Sequence, residues 1–399
     1  MGKQKSIKIK RSKGRLYKKK KSTGRKIVET LALIVIVGGL IFVGYSAAGP
    51  LISHLSGDGE SDSSVSMWTP DESTLNSGTN TEDISGDAPT ESEKAPASDG
   101  IGAYLLPETA MQSGSTLNSA LSSAKKSGFN IVLIPVKTTE GNILYTSNVS
   151  YIKDTDLVTG TMSAAQIVGY AKAVGLTPKA VMPTLMDSKS SAYVEDTGYS
   201  FADGSGWSWL DAAAESGGKR WMDPFLSGTK KYYSDLSKEL IEAGFEDVII
   251  SELRYPDFAD YDQRILDARN FTSDRYKALS TLYNSVFSAS GKKTSVSVNA
   301  KDVLDGYGKS YGRTAEILTD KSFSGTVYLT VNLSDFGTEL KTGEDTSIKI
   351  SPDPVKKSEA IINKAIEYIG TNVTVVPVIR SEGLSAEALA NCYKNLMAE

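Results

Sequence analysis

From residue 101 onward, short apolar runs alternate with stretches in which apolar residues recur every three or four positions. The runs fall at 102–106, 130–136, 178–183, 247–252, 294–299, 325–331 and 372–379, each of strand length. The periodic stretches between them predict helices at about 116–127, 163–174, 229–243, 273–288, 354–369 and 385–397. Ser163 and Ser385 stand where N-caps belong, and Gly128, Gly175, Gly244 and Gly370 follow helices as C-terminal stops. Strands alternating with helices imply a parallel sheet covered by helices. Seven such strands in about 300 residues suit an α/β, (β/α)8 TIM-type barrel over 101–399, with a missing or atypical last strand because only one helix follows the seventh run. Gly306, Gly308 and Gly312 lack the dinucleotide-binding spacing and follow no clear strand.

The first hundred residues read differently. Residues 1–26 carry thirteen Lys and Arg and no acid. Residues 30–48 are apolar and uncharged, long enough to span a bilayer within a 27–50 anchor. The basic side then faces the cytoplasm and the rest of the chain lies outside the cell membrane. Ser46-Ala47-Ala48 also resembles a signal-peptide cleavage site, the alternative to an uncleaved anchor. Met1-Gly2 with Ser6 matches the loose myristoylation pattern, which the adjacent span makes redundant. Residues 51–100, rich in Ser, Thr, Asp, Glu and Gly, predict a disordered acidic linker.

Charge and rare residues narrow the chemistry. With thirteen of the 44 Lys and Arg in the first 26 residues, the remainder holds 31 against 48 acids, a balance of −17. That balance gives no support to nucleic-acid binding. One Cys, Cys392, and one His, His54, exclude an intramolecular disulfide, Ser–His triads, Cys–His dyads and multi-His zinc sites within one chain. Carboxylates, Lys, Tyr, Arg or an oxygen-ligated metal remain for catalysis; no cofactor or metal site is assigned.

The stretch 245–258 draws most attention. Its run Val248-Ile249-Ile250 reads as a buried parallel strand, crowded at its end by Ser251, Glu252, Arg254 and Tyr255 before Pro256 stops the pairing. In barrels, chemistry sits at the C-terminal ends of strands.

With these strands placed, the chain resembles a bacterial family of putative glycoside hydrolases of unknown specificity, barrel domains commonly exported or membrane-anchored. The resemblance runs over most of 101–380. It rests on Gly102-Ala103-Tyr104-Leu105, Gly128 to Leu133, Lys137 followed by Glu140-Gly141-Asn142-Ile143-Leu144-Tyr145, Trp221-Met222-Asp223-Pro224, Gly244 to Asp247, and Arg254-Tyr255-Pro256. It departs where the family carries acids: those places hold Pro135, Thr138, Thr139 and Ser251. Glu252 is adjacent, but neighbours in a strand point to opposite faces, so a bulge would have to turn it into the mouth.

The resemblance implies glycoside hydrolysis, which generally needs two carboxylates flanking the scissile bond. Glu252 and Asp223 are the expected catalytic pair, with Asp187, Glu140 and Glu382 as further candidates. Asp223 before Pro224 equally suits an ordinary turn. Lys137, Arg254 and Tyr255 are expected to bind substrate; Lys137 could instead meet a carboxylate partner, and Arg254 could orient a carboxylate bidentately or hold its own loop. The segment 184–229 contains Tyr193, Tyr199, Phe201, Trp207, Trp209, Trp221 and Phe225. Trp207, Trp209 and Trp221 are expected to stack on sugar rings, or else to pack together as a lid. The partner expected is an envelope or extracellular polysaccharide. A barrel that binds sugar without catalysis, and an envelope scaffold, remain alternatives.

Overall fold

The computed structural model describes residues 102–305, 313–341 and 346–398. The basic arm, the apolar span 30–48, the linker and Gly306, Gly308 and Gly312 lie outside the described residues. No described helix is long and apolar enough to cross a membrane.

All seven expected strands form. They are β1 (Ala103–Leu105), β2 (Ile131–Pro135), β3 (Thr177–Pro183), β4 (Val248–Ser251), β5 (Thr294–Asn299), β6 (Thr326–Val331) and β9 (Thr374–Ile379). They pair in parallel in that order, and β1 and β9 approach each other to bring the sheet nearly full circle. The six expected helices form as well: α1 (Gly114–Lys126), α2 (Ala164–Ala173), α3 (Ser227–Glu242), α4 (Asp274–Ala289), α6 (Pro354–Ile369) and α7 (Ala386–Ala398). Ser163 caps α2 through a capping box with Gln166, and the Ser385 hydroxyl accepts from the Ala388 N–H. Two elements were not expected: the short helix α5 (Ala300–Asp305) directly after β5, and a hairpin of β7 (Glu339–Lys341) with β8 (Ser347–Lys349).

Strand alternation sorts the apolar residues into two cores. Val132, Ile134, Ala180, Met182, Val248 and Ile250 face outward and pack with helix residues such as Leu117, Ile167, Leu236 and Leu282. Ala103, Leu133, Ile249, Tyr328 and Val378, one from each of five strands, form a separate cluster inside the barrel. Strands buried on both faces give near-continuous apolar runs, which is why the sequence places them so closely.

The expected departure from a full (β/α)8 ring is seen: the barrel sheet has seven strands among the described residues. No ladder joins β9 to β1 among the described residues. Tyr393 of α7 bridges that seam instead. Its hydroxyl accepts from the Ile379 N–H at 2.9 Å and donates to the Ala103 carbonyl at 2.8 Å. Its ring lies so close to Gly102 that a Cβ there would sit 2.6 Å from it, and Gly102 has a φ of +122°. Glycine answers both demands.

Tyr393→Phe keeps the ring and strands a buried N–H and a buried carbonyl. Each orphaned group costs about 1–3 kcal/mol. We expect a loss of about 2–4 kcal/mol in urea unfolding; an unchanged midpoint would show that the seam does not depend on this hydroxyl.

Candidate active site at the barrel mouth

The C-terminal ends of the strands enclose a cavity of about 190 Å³. Its floor is Leu105, Leu133, Val181, Ile249 and Tyr328; its upper wall includes Ser251, Glu252, Asn299, Thr330 and Arg380. Alternation explains the wall. Ile249 points inward, so Ser251 does too, as do Ser297 and Asn299 of β5 and Thr330 of β6. Glu252 should then point outward. It lines the cavity nonetheless, because its backbone leaves the strand in the left-handed region, with φ +50°. No bulge is needed. A non-glycine residue held there stores strain that surrounding contacts must offset, a condition common at functional sites.

Those contacts are visible. The Glu252 carbonyl accepts from the Leu185 N–H at 3.2 Å. Its carboxylate accepts from Arg254 Nε at 2.9 Å. Arg254 is itself buried, 8 % exposed, with its guanidinium 4.7 Å from the Trp221 ring centroid. Nη1 reaches the Tyr255 carbonyl and Nη2 the Met186 sulfur. Arg254 is thus engaged in fixing Glu252, by a single hydrogen bond rather than a bidentate one.

The other expected site residues fall elsewhere. Lys137 is 1 % exposed, with Nζ 2.7 Å from Asp187 and 3.0 Å from the Pro183 carbonyl. The Tyr233 ring lies beneath it. Burial lowers its hold on the proton, and Asp187 offsets part of that. Both side chains are locked inside the β2–β3 corner and neither lines the mouth. Tyr255 is buried too: its N–H donates to Glu316 and its hydroxyl to the Arg275 carbonyl. Trp209 donates to Asp262 and sits edge-to-face with Tyr199, beside Phe258; Trp221 donates to Asp211. The aromatic loop is therefore largely a lid packed on itself. Trp207 alone of its tryptophans is open, at 72 % exposure.

Asp223 does not join Glu252 in the cavity lining. It is 6 % exposed, accepts from the Phe225 N–H in a turn and neighbours Lys230, Asp267 and Arg269. Burial raises its pKa to about 6. Glu382 is exposed and ion-paired with Arg380, and Glu140 is exposed.

Several mouth residues were missed. Asn299, Tyr328, Thr330 and Arg380 line the cavity, and each lies at or just past the inward phase of a strand the sequence does place. Following alternation to each strand's end would have found them. Glu108, just after β1, is another. Partial burial raises its pKa, followed by the charge of Glu140, while Arg380 opposes both. Its carboxylate makes no hydrogen bond or ion pair among the described residues.

The raised pKa of Asp223 sets a pH dependence. A carboxylate easier to protonate when folded contributes stability below its unfolded pKa, near 4, and loses it as pH rises through about 6. Asp223→Asn retains the turn acceptor without the charge. It should raise the melting temperature at pH 7.5 and leave it nearly unchanged at pH 4, a gain on the order of 2–3 kcal/mol. Equal effects at both pH values would mean that burial does not raise the pKa of Asp223.

No curated protein matches the chain. Among solved structures, the catalytic domain of a beta-amylase from Paenibacillus polymyxa is 11% identical, with 76% of this chain and 99% of that one covered and a TM-score of 0.43. The glycoside hydrolase domain of PelA from Pseudomonas aeruginosa is 14% identical, with 68% and 81% covered and a TM-score of 0.34. That of PgaB (BpsB) from Bordetella bronchiseptica is 12% identical, with 73% and 98% covered and a TM-score of 0.39. The family described as "Putative glycosyl hydrolase domain" matches residues 102–308, more than half of the 399-residue chain. The chain belongs to that family.

Proposed function

We propose that this barrel acts on a polysaccharide at its mouth, as a glycoside hydrolase whose interior carboxylate is Glu252. The observation that carries this reading is that Glu252, held in a left-handed backbone just past β4, lines the cavity although strand alternation would have pointed it away. Arg254 holds that carboxylate from behind through a 2.9 Å hydrogen bond, which fixes its direction. Ser251, Asn299, Thr330 and Arg380 offer the hydroxyl, amide and guanidinium groups that bind sugar hydroxyls. Exposed Trp207 supplies a flat face further out on the loop for a longer chain.

In this proposal the basic arm and the apolar span 30–48 anchor the chain, with the acidic linker presenting the barrel to envelope or extracellular glycan. The supporting observation is the charge pattern alone: thirteen cations on one side of an uncharged apolar run.

One observation favours a second reading, a sugar-binding barrel without turnover. Glu252 is the only carboxylate in the cavity lining among the described residues, and the place where the resembled family carries an acid holds Ser251. Hydrolysis would then need its second carboxylate from the rim, where Glu108 is unpaired, or from Asp223 after a rearrangement.

Reducing-sugar release from a panel of envelope polysaccharides separates the two. The expected result is release by the wild type that falls at least about 100-fold in Glu252→Gln, in keeping with loss of an acid–base group. Release that survives the substitution would discard Glu252. Saturable binding with no release in either protein would establish the second reading.

A further inference from the structure

At the opposite end of the barrel the N-terminal ends of β4, β5, β6 and β9 surround an open groove of about 540 Å³, larger than the mouth cavity and within the range of small-molecule sites. We propose that this groove is a second binding site, for a hydroxyl-rich sugar unit, separate from the mouth.

Its chemistry is that of unused polar groups. Ser324, Thr326, Thr371, Asn372 and Thr374 line it, and none makes a side-chain hydrogen bond among the described residues. Hydroxyls and a carboxamide both donate and accept, as sugar hydroxyls do. Lys292 and Lys293 stand exposed at one side without an ion pair among the described residues. They would donate to sugar oxygens and favour a unit that also carries a carboxylate. Phe287, half-buried and stacked on Tyr283, supplies an apolar face for ring C–H groups.

A second observation points to a ligand that donates. Asp247 lines the groove with its side chain 10 % exposed. Its Oδ2 accepts from Ser295 at 2.8 Å and lies 3.6 Å from Lys179 Nζ. Its Oδ1 is buried with no hydrogen-bond partner among the described residues. A buried carboxylate oxygen left so is costly. A small opening of the groove floor would let a ligand hydroxyl donate to it. Hydrophobic partners fit poorly, since the groove presents mainly polar groups, and a bare anion would meet the charge of Asp247.

Saturation-transfer NMR on the full-length protein tests this with glucose, N-acetylglucosamine and glucuronate as probes. The expected result is transfer to at least one probe, with affinity lowered about tenfold by Asn372→Ala combined with Lys292→Ala, as for one lost contact. Both positions are exposed, so the variant should fold; Asp247→Asn is the second variant, expected to weaken the same probe. Arg380→Ala at the mouth should leave that binding unchanged. Absence of transfer to all three probes overturns the proposal. So does transfer abolished by Arg380→Ala and retained in both groove variants, which would assign all sugar binding to the mouth. Failure of hydrolysis at the mouth would not move either outcome.

Discussion

A parallel sheet with open edges leaves backbone groups unpaired, and this barrel has seven strands among the described residues where a full ring has eight. The hydroxyl of Tyr393 answers that constraint. By accepting from Ile379 of β9 and donating to Ala103 of β1, it joins the two edges that no ladder joins. The side chain comes from α7, the last helix, so the final turns of the described chain complete the circle begun at Gly102. The mouth depends on that closure, since Arg380 is the residue directly after β9 and Leu105 ends β1; both line the same cavity. If the seam opened, the two walls would part.

Within the nearly closed ring, the proposed chemistry centres on one residue that breaks the strand rule. Glu252 adopts a left-handed backbone, and the residues around it hold it there: the Leu185 N–H donates to the Glu252 carbonyl and Arg254 Nε to its carboxylate, with Trp221 beneath the guanidinium. Arg254 and Trp221 therefore matter to the site without facing the cavity. Their burial gives Glu252 a fixed direction that a loop carboxylate would lack. Of the lid aromatics that suggested sugar platforms, Trp221 serves as that support, while Trp209 packs with Tyr199 and Phe258.

The strands were readable where both faces are buried, as in β2 and β4, which writes them as short runs of apolar residues. The helices were readable from period and caps such as Ser163. The site was only half readable. That Glu252 ends β4 follows from the sequence; that it turns inward does not, because a positive φ at glutamate has no local signature. Lys137 could be read either as a substrate ligand or as the partner of a carboxylate. Its partner Asp187 lies fifty residues on, and a lysine at a strand end looks the same whether it faces substrate or a buried acid. Trp209 and Trp221 carry the same ambiguity, since large flat side chains serve packing and stacking alike, and only the positions of Asp262 and Asp211 decide between them. Arg380 and Asn299, by contrast, could have been found by carrying strand alternation one residue further.

The account rests on the mouth as the place where glycan meets Glu252. A crystal structure of Glu252→Gln soaked with an oligosaccharide from whichever polysaccharide the protein binds tests it most directly. The account predicts sugar density across the C-terminal ends of the strands, with a glycosidic oxygen or anomeric carbon within about 3.5 Å of the residue-252 side chain. Sugar bound only elsewhere on the barrel, with the mouth unaltered, would contradict it.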